Sequence, residues 1–226
     1  MLDGGEHLQH AVRHLFLTAW EIRVKTIATL ILAFVVLHTS ATEARQTING
    51  CQIKRRTSCP GANLAGANLT KSNLASADLA GANLSGADLS GDRVTEANLM
   101  KANLSSANLS GADLSESYMN SADLSGANLS NADLTQSTMP GANLRQANLA
   151  GAKLTMANLK GADLTGANAS GAVFAMASLI DANMSRADLT GAILIGADMR
   201  GTVMEGVIFC RTTMPDKTIN NGNCPR

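Results

Sequence analysis

Ala62-Asn63-Leu64-Ala65-Gly66-Ala67-Asn68-Leu69-Thr70-Lys71 decides how the rest of the chain is read. Two units of five stand end to end, each an Ala-Asn-Leu followed by two small or polar residues. The unit Ala-(Asn/Asp)-Leu-x-x continues to Arg211 without insertion or deletion, 30 copies in all. Leu holds the centre in 21 of the 30, and Ala stands two residues before it in 24. The other centres are Val94, Met119, Met139, Ala169, Phe174, Met184, Met199, Met204 and Phe209.

A period of five fits neither the 3.6 of a helix nor the 2.0 of a plain strand. Two positions of each unit, the Ala and the centre, are small or apolar and belong inside. The other three are polar or Gly and belong outside, and such a unit can turn sharply every five residues. Aromatics make up only 3% of the chain, with one Trp and one Tyr, so the interior has to be narrow and uniform. Successive turns can then stack through backbone hydrogen bonds at strand spacing, with Leu on Leu and Ala on Ala.

These units resemble the pentapeptide-repeat family, over about two thirds of the chain. The resemblance implies an all-β fold: a right-handed quadrilateral parallel β-helix, a solenoid with 20-residue coils. Thirty units then make about seven and a half coils, roughly 36 Å of rod at strand spacing.

Flanking segments have other roles. Residues 1–44 read as a signal peptide or N-terminal targeting segment. Thr26 to Leu37 is an uncharged apolar run of 12 residues, preceded by Arg23 and Lys25. It is shorter than the about 20 residues of a membrane-spanning helix and fits a secretory h-region. Small residues suit cleavage after Ala44 or Ala41; an uncleaved segment would be the one link to a membrane. Translation from Val24 would give a more compact signal and leave Trp20 outside the precursor. All four histidines and the only Trp precede Ala44, so a processed chain contains neither.

Residues 45–61 read as an N-terminal cap, 62–211 as the β-helix and 212–226 as a C-terminal cap. Stacked coils expose sheet edges at both ends, and repeat proteins cap them. Cys51 and Cys59 lie at one end, Cys210 and Cys224 at the other. An even cysteine count in an exported chain reads as disulfides, Cys51–Cys59 and Cys210–Cys224. Other pairings would join the ends of a rod, beyond the about 7 Å Cα reach of a disulfide. The tail from Arg211 to Cys224 resembles the C-terminal closures of exported family members.

With 20-residue coils, residues 20 apart stack. Two sides carry uniform Asn/Asp columns. A third breaks the pattern, with an outer column of Asn73, Arg93, Asp113, Asp133, Lys153, Val173 and Ile193. Its C-terminal half brings Val173, Ile193 and Ile195 beside Met156 and Met176 of the corner column, with Ile180 on the adjoining side. Such a patch marks a contact surface, for a protein partner or for self-association. Glu96, Asp113, Glu116 and Asp133 gather on the same side and read as solvated carboxylates near Arg93. Asp92 takes an inward corner, where a carboxylate must accept backbone N–H bonds or turn outward. It marks the expected distortion of the rod.

An enzyme is not expected. The processed chain has no His to serve as a base, no phosphate-binding glycine loop and a bore too narrow for a pocket. No catalytic, cofactor-binding or metal residue and no small-molecule substrate emerges, and a net charge of zero gives no pull toward nucleic acid. The reading is a non-enzymatic structural or protein-interaction scaffold, exported to the bacterial periplasm, cell envelope or exterior. The family resemblance also suggests a DNA-mimicking inhibitor or protector of DNA gyrase. Residues 62–211 hold 13 acidic and 9 basic side chains, too balanced to copy a duplex.

Overall fold

Every fifth residue from Gly61 to Arg211 has a positive φ. That regularity builds the fold in the computed structural model, which describes residues 46–224. The targeting segment and its cleavage sites lie outside the described residues. In each unit the carbonyl of the central residue accepts the N–H three residues on, as Leu64 does from Ala67 at 3.1 Å. The third residue of this turn is left-handed, 64° at Gly66 and 56° at Glu96. A type II turn requires such a φ and favours glycine there.

Four turns complete a coil. Asn83 bridges Asn63 below and Asn103 above, both parallel, so the repeat distance is 20 residues. Leu84 donates its N–H to Asn103 at 2.6 Å, and Asn83 donates back to Ala62 at 2.9 Å. The same pairing recurs on all four sides. We number the sides by their first central residues: Leu64, Leu69, Leu74 and Leu79 for sides one to four.

The bore is dry. Every central side chain from Leu64 to Leu194 is fully buried, each contributing about 1.5–3 kcal/mol. Ala169 and Phe174, the two largest departures in volume, lie in one coil and offset each other. Where a corner Ala is replaced, the substitute is satisfied locally. Ser117 and Ser137 are buried and donate to the carbonyls of Leu114 and Leu134 at 2.6 and 2.7 Å.

Asp92 stays inward, 3% exposed. Its carboxylate accepts Ser72 Oγ at 2.6 Å and the Asn73 N–H at 2.8 Å. Among the described residues, no bridge forms between Asn73 and Arg93, although side three is bridged continuously from Arg93 to Thr213. Asn73 adopts φ 50°, the left-handed residue in the repeats that falls outside the five-residue series. The distortion read at Asp92 is thus a local exchange of a ladder bond for a carboxylate bond. Asp92→Ala is expected to cost about 1 kcal/mol, because it strands Ser72 Oγ and the Asn73 N–H. Adding Ser72→Ala should recover most of the loss, with thermal melts of both variants as the check.

The two ends differ. At the N-terminal end β1 (Thr47–Ile48) and β2 (Cys51–Gln52) form an antiparallel hairpin. Ile48 and Ile53 pack on the core, and Leu64, Leu69 and Leu74 are sealed. Cys51–Cys59 ties this cap, with Cα atoms 5.7 Å apart. At the other end β3 (Thr212–Thr213) continues side three and pairs antiparallel with β4 (Ile219–Asn220). Asn221 and Asn223 side chains then accept the N–H groups of Arg211 and Phe209 at 2.8 and 2.6 Å. Cys210–Cys224, with Cα atoms 4.6 Å apart, holds this return strand. It covers sides two and three, while Val203 and Met204 of side one stay 49% and 38% exposed.

A candidate contact face

Side two is closed by its own side chains, while side one has two amide bonds from coil to coil, from Asn83 to Asn63 at 3.4 Å and from Asn143 to Asp123 at 2.9 Å. On side two, Asn108, Asn128, Asn148 and Asn168 each donate Nδ2 to the side chain one coil below, at 3.0–3.2 Å. The acceptor oxygen also takes the N–H two residues on, as Asn148 does from Ala150 at 3.2 Å. Such ladders use up the side-chain amides within the rod and leave little for a partner.

Side three has no such ladder in its upper half. Val173 bridges Lys153 below and Ile193 above, and Ile193 bridges Thr213, so the apolar column is continuous. Val173 and Ile193 are half-buried by their neighbours, while Ile195 is 37% exposed. Met156 and Met176, on the corner between sides three and four, are 51% and 65% exposed. Met176 leans over Gly196, its Cγ 3.6 Å from where a β-carbon would stand there. The tail does not cover this patch. Thr213 and Pro215 accept the N–H groups of Leu194 and Gly196 and extend the side by one more coil. Ile180 is one corner further on, between sides four and one, and stands apart from the other five.

The corner itself is unusual. Each of the other three corners has Gly at five of eight left-handed positions. Between sides three and four Gly occupies one of eight, and the run is Arg56, Ser76, Glu96, Glu116, Gln136, Met156, Met176, Gly196. A non-glycine residue in this conformation costs about 1 kcal/mol. Side chains are therefore kept along this corner against the local backbone preference.

The lower half of side three is polar. Asp133 meets Lys153 at 3.6 Å, and Ser76 Oγ donates to Glu96 at 3.3 Å. Glu96, Asp113, Glu116 and Asp133 do not converge on a common point suited to a metal ion among the described residues. Tyr118, 51% exposed on side four, and Met100, 39% exposed at the corner between sides four and one, were not signalled by the repeat pattern.

Several surface carboxyls are held below their ordinary range. Burial pushes Asp133 up, but the Thr135 hydroxyl and N–H together with Lys153 outweigh it. Asp163 behaves likewise through Thr165 and Arg145. At Asp88 the Ser90 N–H leads, at Asp198 the Arg200 guanidinium, and at Asp216 the Thr218 hydroxyl. A carboxyl that is more acidic when folded stabilises the fold above its unfolded pKa of about 3.9 and loses that contribution as pH falls through the folded value. The melting temperature is thus expected to hold from neutral pH to about pH 5 and to fall below about pH 4. Melts across that range in one buffer series check it.

Comparison with known families agrees with this geometry. The family described as "Pentapeptide repeats" matches residues 57–91, 97–136, 127–166, 142–174 and 167–206, in eight copies. The chain belongs to the pentapeptide-repeat family. Pentapeptide-repeat chains form right-handed quadrilateral β-helices, as expected here from the repeat. The chain is similar to HetL, a pentapeptide-repeat protein involved in heterocyst differentiation regulation in the cyanobacterium Nostoc sp. strain PCC 7120. The two share 34% identity over 74% of this chain and 78% of HetL, with a TM-score of 0.52. QnrB1, a plasmid-mediated fluoroquinolone resistance protein, shares the fold at a TM-score of 0.65 and 20% identity, over 70% of this chain and 79% of QnrB1. No curated protein matches the chain.

Proposed function

We propose that this pentapeptide-repeat chain is an exported, non-enzymatic scaffold that presents side three to a protein in the bacterial periplasm or cell envelope. The observation that carries the reading is the exposed apolar half of side three, on a rod whose second side is closed by an Asn ladder. A flat, rigid β surface with exposed Ile and Met is suited to protein contact. Two disulfides at the caps fit an oxidising compartment. The apolar run Thr26–Leu37 fits export.

A DNA-like role aimed at gyrase has less support. Likeness to QnrB1 at 20% identity concerns the fold alone. The upper half of side three is apolar, which breaks the continuous anionic stripe that a duplex mimic needs.

Cross-linking in intact cells, followed by recovery of the chain from the envelope fraction, tests the reading. Defined adducts are expected with the natural chain, and Ile193→Ser combined with Ile195→Ser should remove most of them. Adducts of equal yield from both chains would rule side three out as the contact face.

A further inference from the structure

We infer that side three binds a second copy of this chain, antiparallel, across a two-fold axis passing between the coil of Val173 and the coil of Ile193. The inference rests on the contact-face reading above and gives that face its occupant.

Three observations lead there. The first is shape. An antiparallel two-fold brings each column of side three against the same column of the other copy, shifted by one coil about the axis. Val173 then faces the partner's Ile193, and Ala175 faces the partner's Ile195, large against small in both directions. At the corner, Met176 comes level with the partner's Gly196. Because Met176 already leans over its own Gly196, the two Met176 side chains meet at the axis in the space the two glycines leave. Isologous contacts demand this reciprocal fit, and methionine adapts to it.

The second is charge. A parallel two-fold would bring Glu96, Asp113, Glu116 and Asp133 of both copies to the same levels of one face, and like charges crowded together are unfavourable. The antiparallel arrangement carries these coils past the other copy's C-terminal end. Asp133 then comes level with the partner's tail, whose turn carries Lys217. Lys153 comes level with the partner's Thr213 and Asp216.

The third is the corner. Met156 and Met176 occupy left-handed positions, at φ 59° and 58°, that the other corners mostly give to glycine. Packing on the rod does not explain them, since both are more than half exposed. Contact with another surface gives these side chains a use.

Sedimentation equilibrium on protein purified as the cell accumulates it tests the inference. The natural chain is expected to sediment at twice its own mass, and Ile193→Asp with Ile195→Asp at a single mass. Met176→Gly should weaken association about a hundredfold, as the loss of two partly buried side chains, one from each copy, implies. It should also raise the melting temperature by relieving the backbone. Spin labels at Thr95→Cys should lie roughly 45 Å apart, nine coil steps at strand spacing. That distance also serves if the Asp variants fail to fold. A single-copy mass for the natural chain, a dimer that survives the Ile193 and Ile195 substitutions, or labels in near contact would each overturn it. A single-copy mass beside envelope adducts that vanish with Ile193→Ser and Ile195→Ser sinks the dimer alone. A single-copy mass without such adducts removes the contact face as well.

Discussion

Leu124→Asp is expected to abolish folding of the rod, whereas Met204→Asp should leave it folded. Both residues are side-one centres, four coils apart in the same column. Leu124 is sealed above and below by Leu144 and Leu104, all fully buried. Truncating such a leucine to alanine costs about 2–5 kcal/mol. An unpaired carboxylate in the same place adds several more. A domain whose net stability is of order 5–15 kcal/mol does not survive that sum. Coils also draw stability from their neighbours, so a break in mid-rod uncouples the halves on either side. Met204 has no coil above it and is 38% exposed, so a carboxylate there reaches water. Far-ultraviolet circular dichroism and limited proteolysis of the two variants separate these outcomes. Equal damage from both would mean that the last coil is sealed as tightly as the middle of the rod.

Reduction of the two disulfides should be the next largest loss. The bridges close loops with sequence separations of 8 and 14. Loop-closure entropy puts each at about 2.5–3 kcal/mol. The effect should be local, because each bridge fastens a cap and a solenoid unravels from its ends. Without Cys51–Cys59 the hairpin β1–β2 is free to leave Leu64 and Leu69. Without Cys210–Cys224 the return strand that holds the Phe209 and Arg211 N–H groups is released. Hydrogen exchange after reduction is expected to show protection lost first at the outer coils and retained from about Leu104 to Leu164, where coils stack on both sides. Uniform loss along the rod would show that the caps stabilise the chain as one cooperative unit.

Much of this molecule could be read from its residues because one rule repeats. The period of five, with Ala and Leu as its fixed members, gave the bore and its lining. The resemblance added the four sides, and residues 20 apart then fell into columns such as Asn108-Asn128-Asn148. The exchange at Asp92 was also foreseeable, since its partner Ser72 lies one coil below and is itself a replaced corner Ala. What the repeat conceals is backbone conformation. Nothing in the unit states that its last residue is left-handed, so the scarcity of Gly from Arg56 to Met176 carries no meaning until the turns are seen. Ile180 reads as a neighbour of the patch because it follows Met176 by four residues, yet the width of side four lies between the two corners. The half-open C-terminal end was hidden too. Its exposure depends on the tail folding back over sides two and three, which is set by Asn221 and Asn223 and not by the repeat.

Methionine oxidation in intact cells tests most directly whether side three is a working contact. In the bare rod Met176 is 65% exposed, Met156 51% and Met100, at the corner between sides four and one, 39%, so mild peroxide should modify them in that order. If side three is occupied in the cell, Met176 and Met156 should oxidise more slowly than Met100 there, and the order should revert once the folded protein is diluted apart. Met176 reacting first in the cell, as is expected on the isolated rod, would contradict a contact role for this face.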